Sequence, residues 1–309
     1  MSTVWTADET DIVREFMTLN PGCDLGHVAE IATSVFGRTI TRKAVSDRLR
    51  RAGAPVATTP ERVNSIAEVV LLIPDSHIPF QDRRALDVLH KAAALIRPTT
   101  IALMGDFADF VSVSFHPKNP NVHESLRSEV DAVKAELKRF DAYGAKRKVY
   151  VYGNHEYRLE RYLAEKAPAL FGVVDCDTLF DLKATGWESV PYRSHTKVGK
   201  LFLTHDTGVA GADAHRRSGA TFEHSVVIGH THRMATHYFG NATGETHVAA
   251  MLGWLGDRNQ IDYMNPIKVY KDWQLGFGLA HVLPNGDTHL QAIPIVNYKA
   301  VVNGQVVEA

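Results

Sequence analysis

The chain has 309 residues, is 45% hydrophobic and 22% charged, and carries a formal net charge of -1. This balance excludes long disorder, and it leaves no overall charge to hold nucleic acid or a membrane, so such a partner needs a local patch. The acidic start "MSTVWTADETDIVREF" does not read as a signal peptide, and no apolar run reaches the ~18 residues of a spanning helix.

Residues 1–53 read as three helices. Thr6 and Glu9 fit a capping box, followed by an apolar face of Ile12, Val13, Phe16 and Leu19, and "NPG" at 20–22 stops the helix. "DLGHVAEIATSVFG" predicts a second helix with Val28, Ile31 and Val35 inward. "TITRKAVSDRLRRAG" predicts a third, capped by Thr41 and ended by Gly53, with Ala44, Val45, Arg48 and Leu49 along one side. Residues 54–66 read as a linker, and 67–309 as the larger domain. There, buried strands at "EVVLLIPDSH", "TTIALMGDFADF" and "KVYVYGNHE" alternate with two helices, which predicts a layered α/β fold with a parallel sheet. The later runs "KVGKLFLTHD", "SVVIGHTH", "THVAAM", "FGLAHVLPNG" and "DTHLQAIPIV" have little helix between them and predict a second, more antiparallel sheet, with a turn at Pro284–Asp287.

Cys23 and Cys176 are far apart and no CxxC occurs, which predicts reduced thiols in a reducing cytoplasm and no thiolate zinc site. The 16 histidines matter more. Five apolar runs end in ligand-type residues: Asp75 and His77; Asp106 and Asp109; Asn154 and His155; His205; and His230 and His232. Ligands of α/β sheets bind outside the carboxyl ends of strands, so these residues should converge on one rim. Taken singly, each is more often a cap, a turn former or a satisfied histidine. Taken together, their mixture of imidazole, carboxylate and amide oxygen suits two metal ions. The ends of each Asp-x-His or His-x-His triplet face the same way on extended backbone.

The ordered motifs "DSH", "GDFAD", "GNHE", the His of "THD" and "GHTH", spread over about residues 68–300, resemble the calcineurin-like metallophosphoesterase superfamily. The wording around them resembles metallophosphoesterases encoded by bacteriophages and labelled DNA-repair exonuclease-like. The resemblance implies a four-layer α/β/β/α sandwich and hydrolysis of a phosphate ester by a hydroxide held between two divalent metals. It implies Asp75, His77, Asp106 and His232 as ligands of one metal, and Asp106, Asn154, His205 and His230 as ligands of the other. Manganese, iron, zinc and nickel all fit, with manganese expected in vitro. His155 is implied as the catalytic group at the leaving oxygen, with Asp109 orienting it. Glu156 reads as a first-turn helix acid. Asp206 departs from the family, where Gly commonly follows the lone His; a contact behind the ligand is one reading of it.

His116, Lys118, His123 and Arg127, then Arg158 and Arg161, then His215, Arg216 and Arg217 are each readable as phosphate contacts or as solvated surface. Trp254, Tyr263 and Trp273 read as core or lid packing. The three N-terminal helices resemble a Myb-like helix-turn-helix module. Arg42, Lys43, Arg48, Arg50 and Arg51 crowd its third helix and are the candidate DNA contacts; the alternative is a protein-interaction domain. The expected function is a DNA-directed phosphodiesterase or nuclease, with DNA and a phosphate ester as partners, no membrane, and action in the cytoplasm of a host cell. The alternatives are a phosphomonoesterase acting on a phosphoprotein, nucleotide or small molecule, and a catalytically inactive DNA-binding regulator.

Overall fold

The computed structural model describes residues 5–19, 24–51, 65–116, 124–260, 267 and 271–309. The turn predicted at 20–22, Cys23, Gly53, linker residues 54–64, Lys118, His123 and Tyr263 lie outside the described residues. The chain forms two compact units, Met1–Ser65 and Ile66–Ala309.

The first unit holds α1 (Ala7–Leu19), α2 (Leu25–Phe36) and α3 (Arg42–Arg51). The capping box is made: Glu9 N–H donates to Thr6 Oγ1 at 3.1 Å, and Thr6 N–H to Glu9 Oε2 at 3.0 Å. Val13, Leu25, Val28, Ala29, Ala32, Ile40, Val45 and Leu49 form the core. Ile12 and Val35, expected inward, are 49% and 61% exposed. In α2 the buried stripe is Leu25, Val28, Ala29 and Ala32, at the i, i+3, i+4, i+7 spacing of a helix face, and its small alanines do the packing that Val35 was expected to do.

The second unit continues with β1 (Glu68–Ile73), α4 (Arg83–Ile96), β2 (Thr100–Leu103), α5 (Leu126–Asp141), β3 (Arg147–Val151) and α6 (Glu156–Lys166). Two short helices, α7 (Cys176–Leu179) and α8 (Leu182–Thr185), lead to β4 (Trp187–Val190). Next come β5 (Thr196–Val198), β6 (Leu201–Thr204), α9 (Ala214–Phe222), β7 (Val226–Ile228), β8 (Met234–Gly240) and β9 (Thr246–Leu252). The chain closes with β10 (Gly276–Val282), β11 (Thr288–Pro294) and the hairpin β12 (Lys299–Val302) and β13 (Gln305–Glu308). The first sheet has the order β11-β10-β1-β2-β3-β4, and the second β5-β6-β7-β9-β8.

Four layers follow from the alternation of side chains along each strand. In β1, Leu71 and Ile73 pack with α4 and α5 residues such as Leu89 and Val133. Val70 and Leu72 point the other way, into a layer shared with Leu203, Val227 and Ala250 of the second sheet. In β7, Val227 joins that shared layer, while Val226 and Ile228 pack with Ala214 of α9. Strands buried on both faces read as continuous apolar runs, which is why these were conspicuous.

The second sheet departs from the expectation of antiparallel pairing. β6, β7 and β9 run parallel, with antiparallel partners only at the edges. A parallel crossover needs a connecting element, and α9 supplies it between β6 and β7. The runs that became β10 and β11 join the first sheet instead, β10 antiparallel to β1 and β11 antiparallel to β10. Among the described residues no helix is long and apolar enough to cross a membrane.

The segment after β2 is tied to α5 by Glu129. Its buried carboxylate accepts from Val111 N–H at 2.7 Å and Ser112 N–H at 3.1 Å, and from the Ser112 hydroxyl. Removing it strands donors at about 1–3 kcal/mol. Glu129→Ala is therefore expected to lower stability by about 2 kcal/mol in urea denaturation; an unchanged midpoint would show that the segment is held otherwise.

Candidate metal centre

The rim at the carboxyl ends of β1, β2, β3, β6 and β7 gathers the predicted residues. Ligand atoms of Asp75, His77 and His232 lie within 4.8 Å of one another, and so do those of Asp106, His205 and His230. Asn154 Oδ1 is 3.1 Å from His205 Nε2 and 2.8 Å from His230 Nδ1. Asp106 lies between the sets, with Oδ2 3.2 Å from His205 Nε2. Its other oxygen accepts His155 N–H at 2.8 Å.

The chemistry of this donor set fits cations. His77 Nδ1 lies 3.1 Å from Asp109 Oδ2, and a carboxylate only accepts, so neutral His77 turns a lone pair at Nε2 toward His232 Nε2, 3.0 Å away. His205 donates through Nδ1 to the Met104 carbonyl at 2.9 Å, leaving its Nε2 lone pair against the Asn154 and Asp106 oxygens. Both Asp75 carboxylate oxygens are buried without a hydrogen-bond partner; His232 Nε2 lies 3.2 Å away, outside hydrogen-bonding geometry. Only positive charge relieves such crowding.

The acidities agree. Burial disfavours a charged His205, yet Asp106 and Asp75 push its pKa up to about 10, a proton taking the place of a cation. Burial and the surrounding histidines push His232 down to about 3, keeping the ring neutral with one nitrogen lone pair free to coordinate. Burial raises Asp75. Asp106 is held well below the usual carboxylate range: burial opposes this, but His155, His205 and His77 outweigh it.

Local backbone explains the convergence. His77, Asp106, His230 and His232 have φ of 51°, 49°, 65° and 57°, a left-handed conformation that non-glycine residues adopt at some cost and that clusters at functional sites. Gly153 is required by close approach, since a Cβ there would meet Asp106 Oδ1 at 2.1 Å. Gly105, at φ 91°, lies against His205, where a Cβ would fall 2.4 Å from Nδ1.

Here the family is decided, because the model for calcineurin-like phosphoesterases matches residues 69–264. The chain belongs to the calcineurin-like phosphoesterase family. It is a metal-dependent phosphoesterase by that membership. The Gene 54 protein of Mycobacterium phage D29 is 29% identical over 260 residues, covering 77% of this chain and 98% of the relative. The Gene 54 protein of Mycobacterium phage L5 is 27% identical over 265 residues, with the same coverage of 77% and 98%. Among solved structures, Yfce, a phosphoesterase from E. coli, matches with 15% identity and a TM-score of 0.36 over 72% of this chain and 98% of its own.

Around this phosphoesterase centre, Asp109 contacts two histidines. Its Oδ2 lies 3.1 Å from His155 Nδ1 as well as from His77 Nδ1. Arg158 is only 15% exposed, so it is not a solvated helix face. It donates to the Asp109 carbonyl at 2.9 Å and to Oδ1 at 3.2 Å, and its Nη2 lies 2.8 Å from His155 Nε2. Trp254 stacks on His232 with ring centroids 5.0 Å apart, and Trp273 meets it edge-on at 4.2 Å. Asp206 Oδ1 closes a turn by accepting Gly208 N–H at 2.8 Å. His116 is exposed, Arg127 faces Asp131 along α5, and Arg161 lies over Phe115. His215 is buried on α9 beside His237, while Arg216 and Arg217 are exposed there.

In the helical unit, Arg42, Lys43, Arg50 and Arg51 are exposed. Arg48 instead turns inward, its Nε donating to Thr10 Oγ1 at 2.6 Å.

Glu156 does more than begin a helix. Its carboxylate accepts from Asp106 N–H at 2.9 Å, Ala108 N–H at 2.9 Å, Gly153 N–H at 2.7 Å and the Tyr150 hydroxyl at 2.9 Å. It thereby ties the β2 and β3 ends together beneath Asp106. An amide presents a donor to two of those four groups, at about 1–3 kcal/mol for each orphan. Glu156→Gln is expected to lose about 2–6 kcal/mol of stability and to bind metal more weakly. Chemical denaturation and metal titration check this, and wild-type values in both would remove Glu156 from the support of the centre.

Proposed function

We propose that the protein is a DNA-directed phosphodiesterase working with two divalent metal ions. The observation that carries this reading is the pair of acceptor sets meeting at Asp106, with His155 beside them. Asp75, His77, Asp106 and His232 hold one cation, and Asp106, Asn154, His205 and His230 the other, manganese being the one to test first. Cations bound there would supply positive charge to the phosphoryl oxygens and lower the pKa of a nearby water.

The remaining work falls to side chains. Met104 O and Asp109 fix His205 and His77 so that each offers Nε2. His155, held through Nδ1 by Asp109, offers Nε2 to the ester oxygen that leaves. Arg158 donates to that nitrogen in the free site; once a substrate phosphoryl group draws the guanidinium away, Nε2 takes up a proton from water, which, despite burial, the Asp106 and Asp109 carboxylates favour, and passes it to the leaving oxygen. General acid assistance of this kind is worth about 10²–10⁴ in rate. DNA enters the reading through the exposed Arg42, Lys43, Arg50 and Arg51, which form a basic end and flank of α3 suited to phosphate contacts. The mycobacteriophage relatives support action in the cytoplasm of a host cell.

Asp106→Asn is expected to lose bound metal and turnover together. His155→Ala is expected to keep its metal while losing about 10²–10⁴ of its rate. Metal analysis beside hydrolysis of bis-p-nitrophenyl and p-nitrophenyl phosphate separates these; a metal-free His155→Ala protein would sink the role given to His155. A stronger response to the monoester would replace the diesterase by a monoesterase.

The DNA assignment is tested by gel shift. Arg50→Ala with Arg51→Ala should weaken binding and reduce its salt dependence, since phosphate contacts release counterions. Equal binding by a chain beginning at Ser65 would remove DNA from the function of the helical unit.

A further inference from the structure

A cavity of about 440 Å³ lies at the carboxyl ends of β3 and β4, next to the metal centre and not used by the chemistry above. One wall is a face of α6, including the buried Leu159 and Leu163. Phe171, 49% exposed, lines it as well. Toward the metal centre stand Tyr157 and Tyr192, with ring centroids 5.4 Å apart and planes inclined by 36°. The Arg193 guanidinium lies over both rings, at 5.9 and 5.2 Å. The Tyr192 ring is 6.3 Å from the ring of His205. A group held against these tyrosines therefore sits beside the Asn154–His205 side of the centre.

We propose that this cavity receives an aromatic ring carried by the phosphate ester. The ring lies against Tyr157 and Tyr192 over an apolar floor, while its phosphate lies at the metal centre. Aromatic faces favour offset or tilted partners, and the tyrosine pair offers a tilted one. Arg193 adds a cation that can face either the ring or the ester's negative charge. An alkyl ester has no face to offer and leaves the tyrosines with water. The shared chemistry is a planar ring on a phosphate, supplied either by a nucleobase or by a simple aryl group. This rests on reading the centre as the place where a phosphate ester is cleaved, so the test uses phosphonates, which bind without being hydrolysed.

Isothermal titration of the full-length, manganese-loaded protein compares phenylphosphonate with ethylphosphonate. The phenyl compound is expected to bind at least about tenfold more tightly, as stacking on aromatic side chains does elsewhere. Tyr157→Leu removes a stacking face, and Val174→Trp fills the cavity. Both are expected to erase the phenyl advantage while ethylphosphonate still binds, which reports an intact metal centre. If Val174→Trp misfolds, Tyr157→Leu and the wild-type comparison decide alone. Competition by thymidine identifies a nucleobase, and competition by phenol alone an aryl group. Equal affinities in the wild type, an advantage that survives Tyr157→Leu, or competition by neither compound overturns the proposal. Loss of turnover with the advantage intact would instead count against the hydrolytic reading alone.

Discussion

Lone pairs packed against lone pairs around Asp106 are the constraint on which the site depends. His205 spends its one proton on a backbone carbonyl, and His77 spends its own on Asp109. What remains at the centre is nitrogen and oxygen with little to donate. In a buried setting that arrangement costs several kcal/mol for each uncompensated charge. A cation from outside the chain would supply the opposing charge. The raised His205 pKa and the lowered Asp106 pKa are two sides of one attraction, the carboxylates favouring an imidazolium and the imidazoles favouring a carboxylate.

Holding such a cluster takes rigid support. Four of the seven gathered ligand residues adopt left-handed backbone, and this strain is spread over turns rather than strands. Glu156 answers part of it by satisfying backbone N–H groups on two different turns. Arg158 does similar work on the other flank, fixing Asp109 and His155 relative to each other. Both residues lie in the first turn of α6, directly after Asn154 and His155, so one strand-to-helix turn brings two rim side chains and both of these supports together within five residues.

Much of this could be read from residues alone, for a physical reason. β1, β2 and β3 are buried on both faces, so they appear as unbroken apolar runs, and a polar residue at their ends has no packing explanation. Elements with weaker patterns were harder to see. β8 alternates between intermediate and exposed positions, and α9, "AHRRSGATF", has a helical face only because it covers β7 and β9. The pairing of β10 with β1 spans over 200 residues and has no local signature. Arg48 was indistinguishable from its basic neighbours until Thr10 was placed beside it. Glu156 looked like an ordinary helix acid because its four donors come from three separate places in the chain.

The gathered side chains also divide by origin. Asp75, His77, Asp106 and Asn154 follow strands of the first sheet, whereas His205, His230 and His232 follow strands of the second. Each of the two sets draws on both sheets. A cation bound in either set is thus a rivet through the sandwich, fastening at its edge two layers that meet elsewhere through apolar contact along Leu72, Leu203 and Val227 and through hydrogen bonds such as that from Arg147 Nη1 to the Lys197 carbonyl at 2.8 Å. Folding and metal uptake then become one linked equilibrium, in which free metal concentration sets how firmly the two halves of the larger unit are clasped.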